Sequence, residues 1–323
     1  MSGSSSSSPS AAERLIGLIR LARPHHWVKG AFVFFGPMYA LADKNLRSTD
    51  LLWSAFFTFL AFGAASSACY AINDLRDAEL DRQHPRKKNR PIASGVVSPA
   101  MAVALTVAML ILSGALLLGV SADVRPWVGL CIGIYAVNTM AYSVFLKQIV
   151  IADVISLAMG FVLRVVAGCF AVGIGPSTFL LNVVFFLAMF LAFGKRLGER
   201  RTLGSDGAAK ARGVQAGYTD DILRLAMVAT AVVTLVSYAG YVLSRDTHYA
   251  WKPAWMTGAG FNLLWLTLLP ATYGLLRCVQ LIERGRYDDP TELAYSDRPF
   301  QLAGIAFVGV TAALMWMRST GQL

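Results

Sequence analysis

Nine apolar segments of about 20 residues each recur along this chain, and they constrain its fold more than any other feature. A helix of about that length crosses the roughly 30 Å hydrocarbon core of a bilayer. Repeated runs of this kind are typical of a polytopic membrane protein. We therefore predict an all-α bundle of nine transmembrane helices. The segments cover residues 24–43, 51–72, 99–120, 126–146, 150–173, 177–195, 223–244, 254–276 and 300–318.

The charge content agrees with this interpretation. Only 15% of the 323 residues are charged, against about 25% in soluble domains. The net charge of +10 does not indicate a nucleic-acid partner, because Lys and Arg in a membrane protein first of all set its orientation. Most of them fall on one side if the N-terminus is cytoplasmic. The asymmetry predicts an odd number of spans, with the C-terminus on the opposite side.

The N-terminal stretch differs from the rest of the chain. Residues 1–12 read "MSGSSSSSPSAA", and such Ser-rich sequence is typical of disorder. We therefore divide the chain into a disordered tail over residues 1–12 and one membrane domain over residues 13–323.

The longest polar stretch, "YAINDLRDAELDRQHPRKKNRPIASG" over residues 70–95, follows directly on an apolar run. Asn73, Asp77 and Asp81 are spaced i, i+4, i+8, which places them on one helical stripe with Asp74 beside them. Mg²⁺ takes oxygen ligands and usually combines one or two carboxylates with substrate phosphates. Basic residues follow the stripe and could hold the remaining phosphate oxygens. A solvated helix end of mixed charge is the alternative.

This stretch predicts a magnesium–diphosphate site. Asn73, Asp77 and Asp81 are the expected metal ligands, and with Asp74 they form the expected catalytic set.

The same residues resemble a known family. "NDLRDAELD" is similar to the NDxxDxxxD motif of the UbiA superfamily of intramembrane prenyltransferases, and "KNRPIASG" resembles the RP(I/L)xxG segment of that family. The resemblance extends from about Arg23 to Gln301. It implies nine helices around a central cavity that opens toward the bilayer and is capped by cytoplasmic loops.

One departure from the family pattern concerns the second Asp-rich motif. At the end of the sixth predicted span the chain reads "FGKRLGERRTLG", with one acid and four bases. Cations in this place favour a more anionic substrate than a single diphosphate. Together with "RPHHWVKG", "YSVFLK" and "LAYSDRPFQLAGI", this segment resembles the branch of decaprenyl-phosphate phosphoribosyltransferases.

The branch resemblance implies a reaction. It is the Mg²⁺-dependent transfer of 5-phosphoribose from 5-phosphoribosyl 1-diphosphate (PRPP) to a polyprenyl phosphate, toward arabinose donors of the cell wall. The implied location is the bacterial cytoplasmic membrane, with the active site facing the cytoplasm.

The extra phosphates of these substrates require additional polar groups. The candidates are Lys29, Arg90, Tyr142, Lys147, Arg164, Lys195, Arg196 and Glu199. Lys195 and Arg196 are expected to hold the PRPP 5-phosphate. Arg164 lies within a span, where charge is expensive and usually functional, so it either pairs with an acid on another helix or holds a phosphate.

Two other functions remain open from the sequence. A UbiA-type enzyme that moves a prenyl group from prenyl diphosphate to an aromatic or lipid acceptor would share the first Asp motif, but it would be expected to carry the second. A transporter of a polyprenyl-linked or phosphorylated solute would be expected to show internal repeats, and none is evident.

Overall fold

A computed structural model describes residues 9–40, 49–83, 87–211, 213–258, 260–285 and 296–322. The regular structure of these residues is helical except for one antiparallel hairpin of β1 (Ala250–Trp251) and β2 (Phe261–Asn262). The α-helices are α1 (Ala11–Ala22), α2 (Phe35–Ala40), α3 (Thr49–Arg76), α4 (Ala78–Gln83), α5 (Pro99–Leu116), α6 (Arg125–Val144), α7 (Ala152–Ala171), α8 (Thr178–Ala211), α9 (Asp220–Leu243), α10 (Leu268–Glu283) and α11 (Arg298–Thr320). The all-α prediction is confirmed.

Eight helices of the described residues are long and apolar enough to cross a membrane. They correspond to eight of the nine predicted spans. The ninth, predicted over residues 24–43, is built differently: Pro24–Phe34 is a 3₁₀ segment and only the short α2 follows it. Residues 41–43 lie outside the described residues. Within the part of the chain that the structure describes, eight of the nine predicted membrane helices are thus present as long helices, and the ninth stays a prediction.

The 3₁₀ segment Pro24–Phe34 runs along α3 in the opposite direction. Trp27 donates a hydrogen bond from Nε1 to Ser67 Oγ at 3.0 Å, whereas the Phe34 ring lies 5.5 Å from that of Phe59. On another side the backbone of Val33 approaches Gly168 so closely that a Cβ there would collide with the Val33 carbonyl. Close packing of an irregular segment against helices is a tertiary effect that apolar periodicity does not reveal.

The chain divides into two compact units. The first takes the described residues of Met1–Pro37, Ser48–Ser143 and Ala167–Ile174, and the second those of Met38–Arg47, Val144–Val166 and Gly175–Leu323. In the first unit, apolar residues of α1, α3, α4 and α5 form a core around Leu21, Ala71 and Ile92. In the second, the largest core packs α8, α9 and α10 around Phe190, Met227 and Leu281. The first unit also includes described residues before position 13, where the predicted membrane domain begins, and the division into a tail and one domain stays a prediction.

The first helix begins before residue 13, where the predicted membrane domain starts. Helix α1 begins at Ala11, and Ser10 caps it through a reciprocal capping box with Glu13. Such a box satisfies two backbone donors at a helix start. The end of the predicted 1–12 tail thus belongs to a helix start, while residues 1–8 lie outside the described residues. Arg86, one of the basic residues after the Asp-rich stripe, and residues 293–295 of the segment "LAYSDRPFQLAGI" lie outside them as well.

Candidate active site

The predicted Asp-rich stripe lies at the end of α3 and continues into α4. Backbone hydrogen bonds run from Asp77 N to Asn73 O and from Asp81 N to Asp77 O, both at 2.9 Å. Because each bond spans four residues, Asn73, Asp77 and Asp81 share one helical face. The two helices are thus continuous in hydrogen bonding across Asp77. The stripe that the spacing predicted is present in the structure.

Asp74 is held by two arginines. It is only 2% exposed, and Nη2 of Arg23 lies 2.8 and 2.7 Å from its two carboxylate oxygens. Arg90 Nη1 lies 3.0 Å from Asp74 and 2.8 Å from Asp81. We expected Asp74 to support the metal and Arg90 to bind phosphate. In the structure Asp74 anchors both arginines, and Arg90 bridges two carboxylates; the roles in metal and phosphate binding stay predictions.

The partners of Asp74 come from distant parts of the sequence. Arg23 directly follows α1 and adopts a left-handed conformation with φ of 50°. Its guanidinium also lies over the ring of Tyr70, 5.1 Å from the centroid. The left-handed turn ends α1 and directs the Arg23 side chain toward the end of α3. Sequence reasoning missed this role of Arg23, which the resemblance segment "RPHHWVKG" contains.

The stripe fits Mg²⁺ in its donor chemistry. Asp77 and Asp81 offer carboxylate oxygens and Asn73 offers an amide oxygen, and oxygen ligands are those that Mg²⁺ prefers. Within the described ranges, no three His, Cys, Asp or Glu side chains are grouped as a metal site of their own. A metal here would therefore also need the Asn73 amide oxygen and oxygens from substrate or water, which is the usual arrangement for Mg²⁺.

The second unit holds a different polar cluster, at the basic end of α8. Arg196 is 1% exposed and donates from Nε and Nη2 to Asp153 Oδ2, at 3.1 and 2.8 Å. Asp153 is itself fully buried. Breaking a buried pair by removing one partner is strongly destabilising. We expected Arg196 to hold a substrate phosphate; in this structure its guanidinium binds Asp153 at the start of α7.

Tyr218 extends this ion pair to the backbone. Its hydroxyl donates to Asp153 Oδ1 at 2.7 Å and accepts from the Ile151 N–H at 2.7 Å. Burial, followed by the hydrogen bond to Asp153, raises the pKa of the Tyr218 hydroxyl above its ordinary value. The hydroxyl therefore stays protonated at neutral pH and remains a donor. Ile151 has φ of 70°, an unusual conformation for a β-branched residue.

Gln215 joins the segment after α8 to the same cluster. Its side-chain nitrogen donates to Glu199 Oε2 at 2.9 Å and to the Arg196 carbonyl at 3.3 Å. Glu199, predicted to contact substrate, thus also holds the 3₁₀ segment Gly213–Gly217 that contains Gln215. Sequence reasoning missed Tyr218 and Gln215, because neither belongs to a charged pattern. Asp153 is an acid that the sequence shows within an apolar segment, but its partner Arg196 is 43 residues away and is not evident from the sequence.

Arg164 is buried in α7, and Nη1 donates to the Gly160 carbonyl at 2.6 Å. Its guanidinium also lies 5.8 Å from the Phe161 ring centroid. That backbone contact occupies one of the five donors of a guanidinium. The other predicted substrate-binding residues are Lys29 in the 3₁₀ segment Pro24–Phe34, Tyr142 near the end of α6, Lys147 in the 3₁₀ segment Leu146–Gln148, and Lys195 in α8. Their roles stay predictions.

These features define an integral membrane protein in which carboxylates gather at the end of a long apolar helix. A model of the UbiA prenyltransferase family matches residues 30–305. The chain therefore belongs to the UbiA prenyltransferase family, and it is a transferase.

Relatives of this chain are found among mycobacterial and corynebacterial enzymes. It is 32% identical over 308 residues to the decaprenyl-phosphate phosphoribosyltransferase of Mycolicibacterium smegmatis, covering 93% of this chain and 92% of the relative. It is 33% identical over 294 residues to the protein of the same name from Corynebacterium glutamicum, covering 90% and 84%.

Solved structures share the fold. A UbiA homolog from Archaeoglobus fulgidus bound to GPP and Mg²⁺ superposes with a TM-score of 0.65 at 18% identity, covering 93% of this chain and 99% of that one. A digeranylgeranylglyceryl phosphate synthase superposes with a TM-score of 0.62 at 15% identity, covering 95% and 99%.

Proposed function

We propose that this protein transfers 5-phosphoribose from PRPP to a decaprenyl-type polyprenyl phosphate and releases diphosphate. The observation that carries the proposal is the similarity over nine-tenths of the chain to relatives named decaprenyl-phosphate phosphoribosyltransferase. Lys195 at the basic end of α8 supports it, because a donor and an acceptor with several phosphates need more cations than a single prenyl diphosphate. The proposed setting is the synthesis of arabinan precursors at the cytoplasmic face of the bacterial inner membrane.

The reaction breaks the bond between C1 of the ribose and the diphosphate oxygen, and the diphosphate leaves with the electron pair. An oxygen of the polyprenyl phosphate forms the new bond to C1. Since the acceptor is already an anion, the site needs no strong general base. Catalysis then depends on positioning and on stabilising the charge of the leaving group.

The Asp-rich stripe is the proposed diphosphate end of the site. Mg²⁺ held by Asn73, Asp77 and Asp81 would supply charge neutralisation of the leaving diphosphate. Asp74 orients Arg23 and Arg90 through the ion pairs described above. Arg90 keeps 28% of its side chain exposed, so its outer face can still meet a phosphate while one nitrogen holds the carboxylates.

The remaining phosphates are assigned to the other cations. Lys29, Lys147, Lys195 and Arg164 are the proposed binding groups for the ribose 5-phosphate and the lipid phosphate, with Tyr142 as a further hydrogen-bonding group. Arg196 is assigned a positioning role, because Asp153 occupies its guanidinium. Glu199 likewise acts on the segment after α8 through Gln215.

A prenyl transfer to an aromatic or lipid acceptor is the second candidate. It is favoured by the solved family member bound to GPP and Mg²⁺, although at 18% identity that likeness concerns the fold alone. The replacement of the second Asp-rich motif by "FGKRLGERRTLG" argues against it.

A radiolabel-transfer assay with purified protein in detergent and Mg²⁺ distinguishes the two candidate functions. The protein is assayed in two separate reactions. It is given polyprenyl phosphate with radiolabelled PRPP in one reaction, and 4-hydroxybenzoate with radiolabelled prenyl diphosphate in the other. Label from PRPP in the lipid fraction, dependent on polyprenyl phosphate, is the expected result. Label only from prenyl diphosphate would replace the proposal by the second candidate.

A further inference from the structure

Helix α1 lies across the ends of two membrane-spanning helices. Leu21 is fully buried, and with Leu18 it packs into the core that contains Ala71 near the end of α3 and Ala102 in the first turn of α5. Gly17 faces Val96 and Val97, just before α5. Since α3 and α5 are both candidate membrane spans, these contacts place α1 at the level where the spans leave the bilayer.

The helix also has a second apolar face, which is exposed in the part of the chain that the structure describes. Leu15, Ile16 and Ile19 are 60%, 51% and 53% exposed. Ile19 is two positions from both Gly17 and Leu21, and at 100° per residue it points away from their side of the helix. Three large exposed aliphatic side chains on a helix of 12 residues are costly in water, at about 25 cal/mol per Å² of apolar surface.

Charge indicates what covers this face. Arg14 and Arg20 are exposed on the same helix, and the basic Arg23 follows it. A short amphipathic helix with arginines beside an apolar face is the usual form of a segment that lies in the membrane interface. Basic residues near the surface are also attracted to anionic phospholipids.

We propose that α1 binds the surface of the bilayer that the rest of the chain spans. Leu15, Ile16 and Ile19 enter the boundary between headgroups and acyl chains, and Arg14 and Arg20 contact anionic phospholipid headgroups. Because Arg23 joins the end of α1 to Asp74, this lipid contact also supports the Asp-rich end of α3. The proposal does not depend on which donor the enzyme uses.

Fluorescence depth measurement on the full-length protein in lipid nanodiscs tests this surface. Single cysteines at Ile16→Cys and Ile19→Cys are labelled with the polarity-sensitive dye NBD, and Gln83→Cys, an exposed polar position at the end of α4, is the matched control. The four native cysteines are buried, so background labelling is low. NBD at positions 16 and 19 is expected to emit at shorter wavelength than at 83, and to lose most of its emission to a shallow doxyl-labelled phospholipid.

A second comparison tests the contact of Arg14 and Arg20 with anionic headgroups. Adding phosphatidylglycerol to phosphatidylcholine discs is expected to deepen quenching at position 16, and Arg14→Gln/Arg20→Gln is expected to remove that increment. Emission at positions 16 and 19 as aqueous as at 83 would overturn the lipid contact. NBD at these positions could instead be shielded from water without being quenched by lipid, to a degree that depends on the number of protein copies per disc. That result would assign the face to a second copy of the protein and would also overturn the lipid contact. No response to phosphatidylglycerol or to the arginine replacements would overturn the headgroup contact.

Discussion

The carboxylates of the Asp-rich segment differ in what they contact. Asp74 and Asp81 are buried and share Arg90, and Asp74 also takes both contacts from Arg23. Asp77 is only partly buried on the same face as Asn73 and Asp81. The spacing of the segment predicts the stripe. It cannot separate an anchoring carboxylate from a metal-binding one, because that difference depends on arginines far away in sequence.

A comparison of Asp77 with Asp74 tests this separation. Asp77→Ala is expected to abolish Mg²⁺-dependent turnover with little change in melting temperature, because it removes a proposed metal ligand. Asp74→Asn should lower the free energy of unfolding by about 1–3 kcal/mol, because two arginines lose a charged acceptor. Turnover and thermal melting in detergent, measured on the same preparations, check both. Asp81→Ala should lose turnover as Asp77→Ala does. Full activity in either of these two variants would refute the metal assignment.

Lys195 and Arg196 are neighbours in sequence with different expected roles. If Lys195 holds a PRPP phosphate, Lys195→Gln removes a charge-assisted contact of about 1.5–3 kcal/mol and raises the KM for PRPP about tenfold or more. Arg196→Gln leaves Asp153 buried without its cation and is expected to cost about 3–5 kcal/mol of stability.

Steady-state kinetics with each substrate varied separately, together with thermal melting, distinguish the two roles. The KM for polyprenyl phosphate should change much less than that for PRPP in Lys195→Gln. Unchanged PRPP kinetics in this variant would give the basic end of α8 a role other than donor binding. Arg196→Gln with wild-type stability would contradict the buried ion pair.

At the scale of elements, Tyr218 connects the turn before α7 with the segment after α8. The turn reverses at Ile151, whose positive φ costs about 1–3 kcal/mol in a β-branched residue. Its N–H is satisfied by the Tyr218 hydroxyl. Lys147 lies in the 3₁₀ segment Leu146–Gln148, just before this turn. The hydrogen bond of Tyr218 therefore also helps to position the backbone of Lys147.

Removing one hydroxyl should weaken this connection. Tyr218→Phe leaves the Ile151 N–H and Asp153 each short of one partner and is expected to cost about 1–3 kcal/mol. Ile151→Gly added to Tyr218→Phe should return part of that loss, because glycine adopts a φ of 70° without strain and Ile151 is half exposed. Ile151→Val is the matched control, since it keeps the β-branch. Melting temperatures of the single and double variants measure this effect. If Ile151→Gly and Ile151→Val recover the same stability in Tyr218→Phe, backbone strain at Ile151 plays no part.

At the scale of the whole molecule, the apolar segments and the NDxxDxxxD resemblance predicted an all-α membrane protein of the UbiA family, and both are confirmed. Their success has a physical reason: crossing a bilayer requires about 20 apolar residues, which any sequence must display. The predicted span over residues 24–43 differs from the other eight because Pro24–Phe34 has a 3₁₀ backbone. Contacts of Trp27, Val33 and Phe34 with other helices fix that backbone. The commitment of Arg196 to Asp153 was hidden for the same reason, since a buried ion pair between helices leaves no periodic pattern.

The path of residues 24–48 determines the number of membrane crossings. Arg23 pairs with Asp74 at the end of α3, yet the chain must next reach Thr49 at its start. A helix of 28 residues is about 42 Å long at 1.5 Å per residue. The described segment over residues 24–40 is therefore expected to cross the bilayer antiparallel to α3, which gives nine crossings together with the eight long helices of the described residues.

Single cysteines and a membrane-impermeant maleimide on intact cells test this topology, and the buried native cysteines provide a low background. The excess of Lys and Arg predicts that Ser5→Cys and Lys88→Cys react only after permeabilisation. Thr49→Cys and Gln322→Cys should react from outside. Labelling of Lys88→Cys in intact cells would overturn the cytoplasmic orientation. Ser5→Cys reacting on the same side as Thr49→Cys would mean that the chain does not cross the bilayer between these two positions, because a single crossing places them on opposite sides.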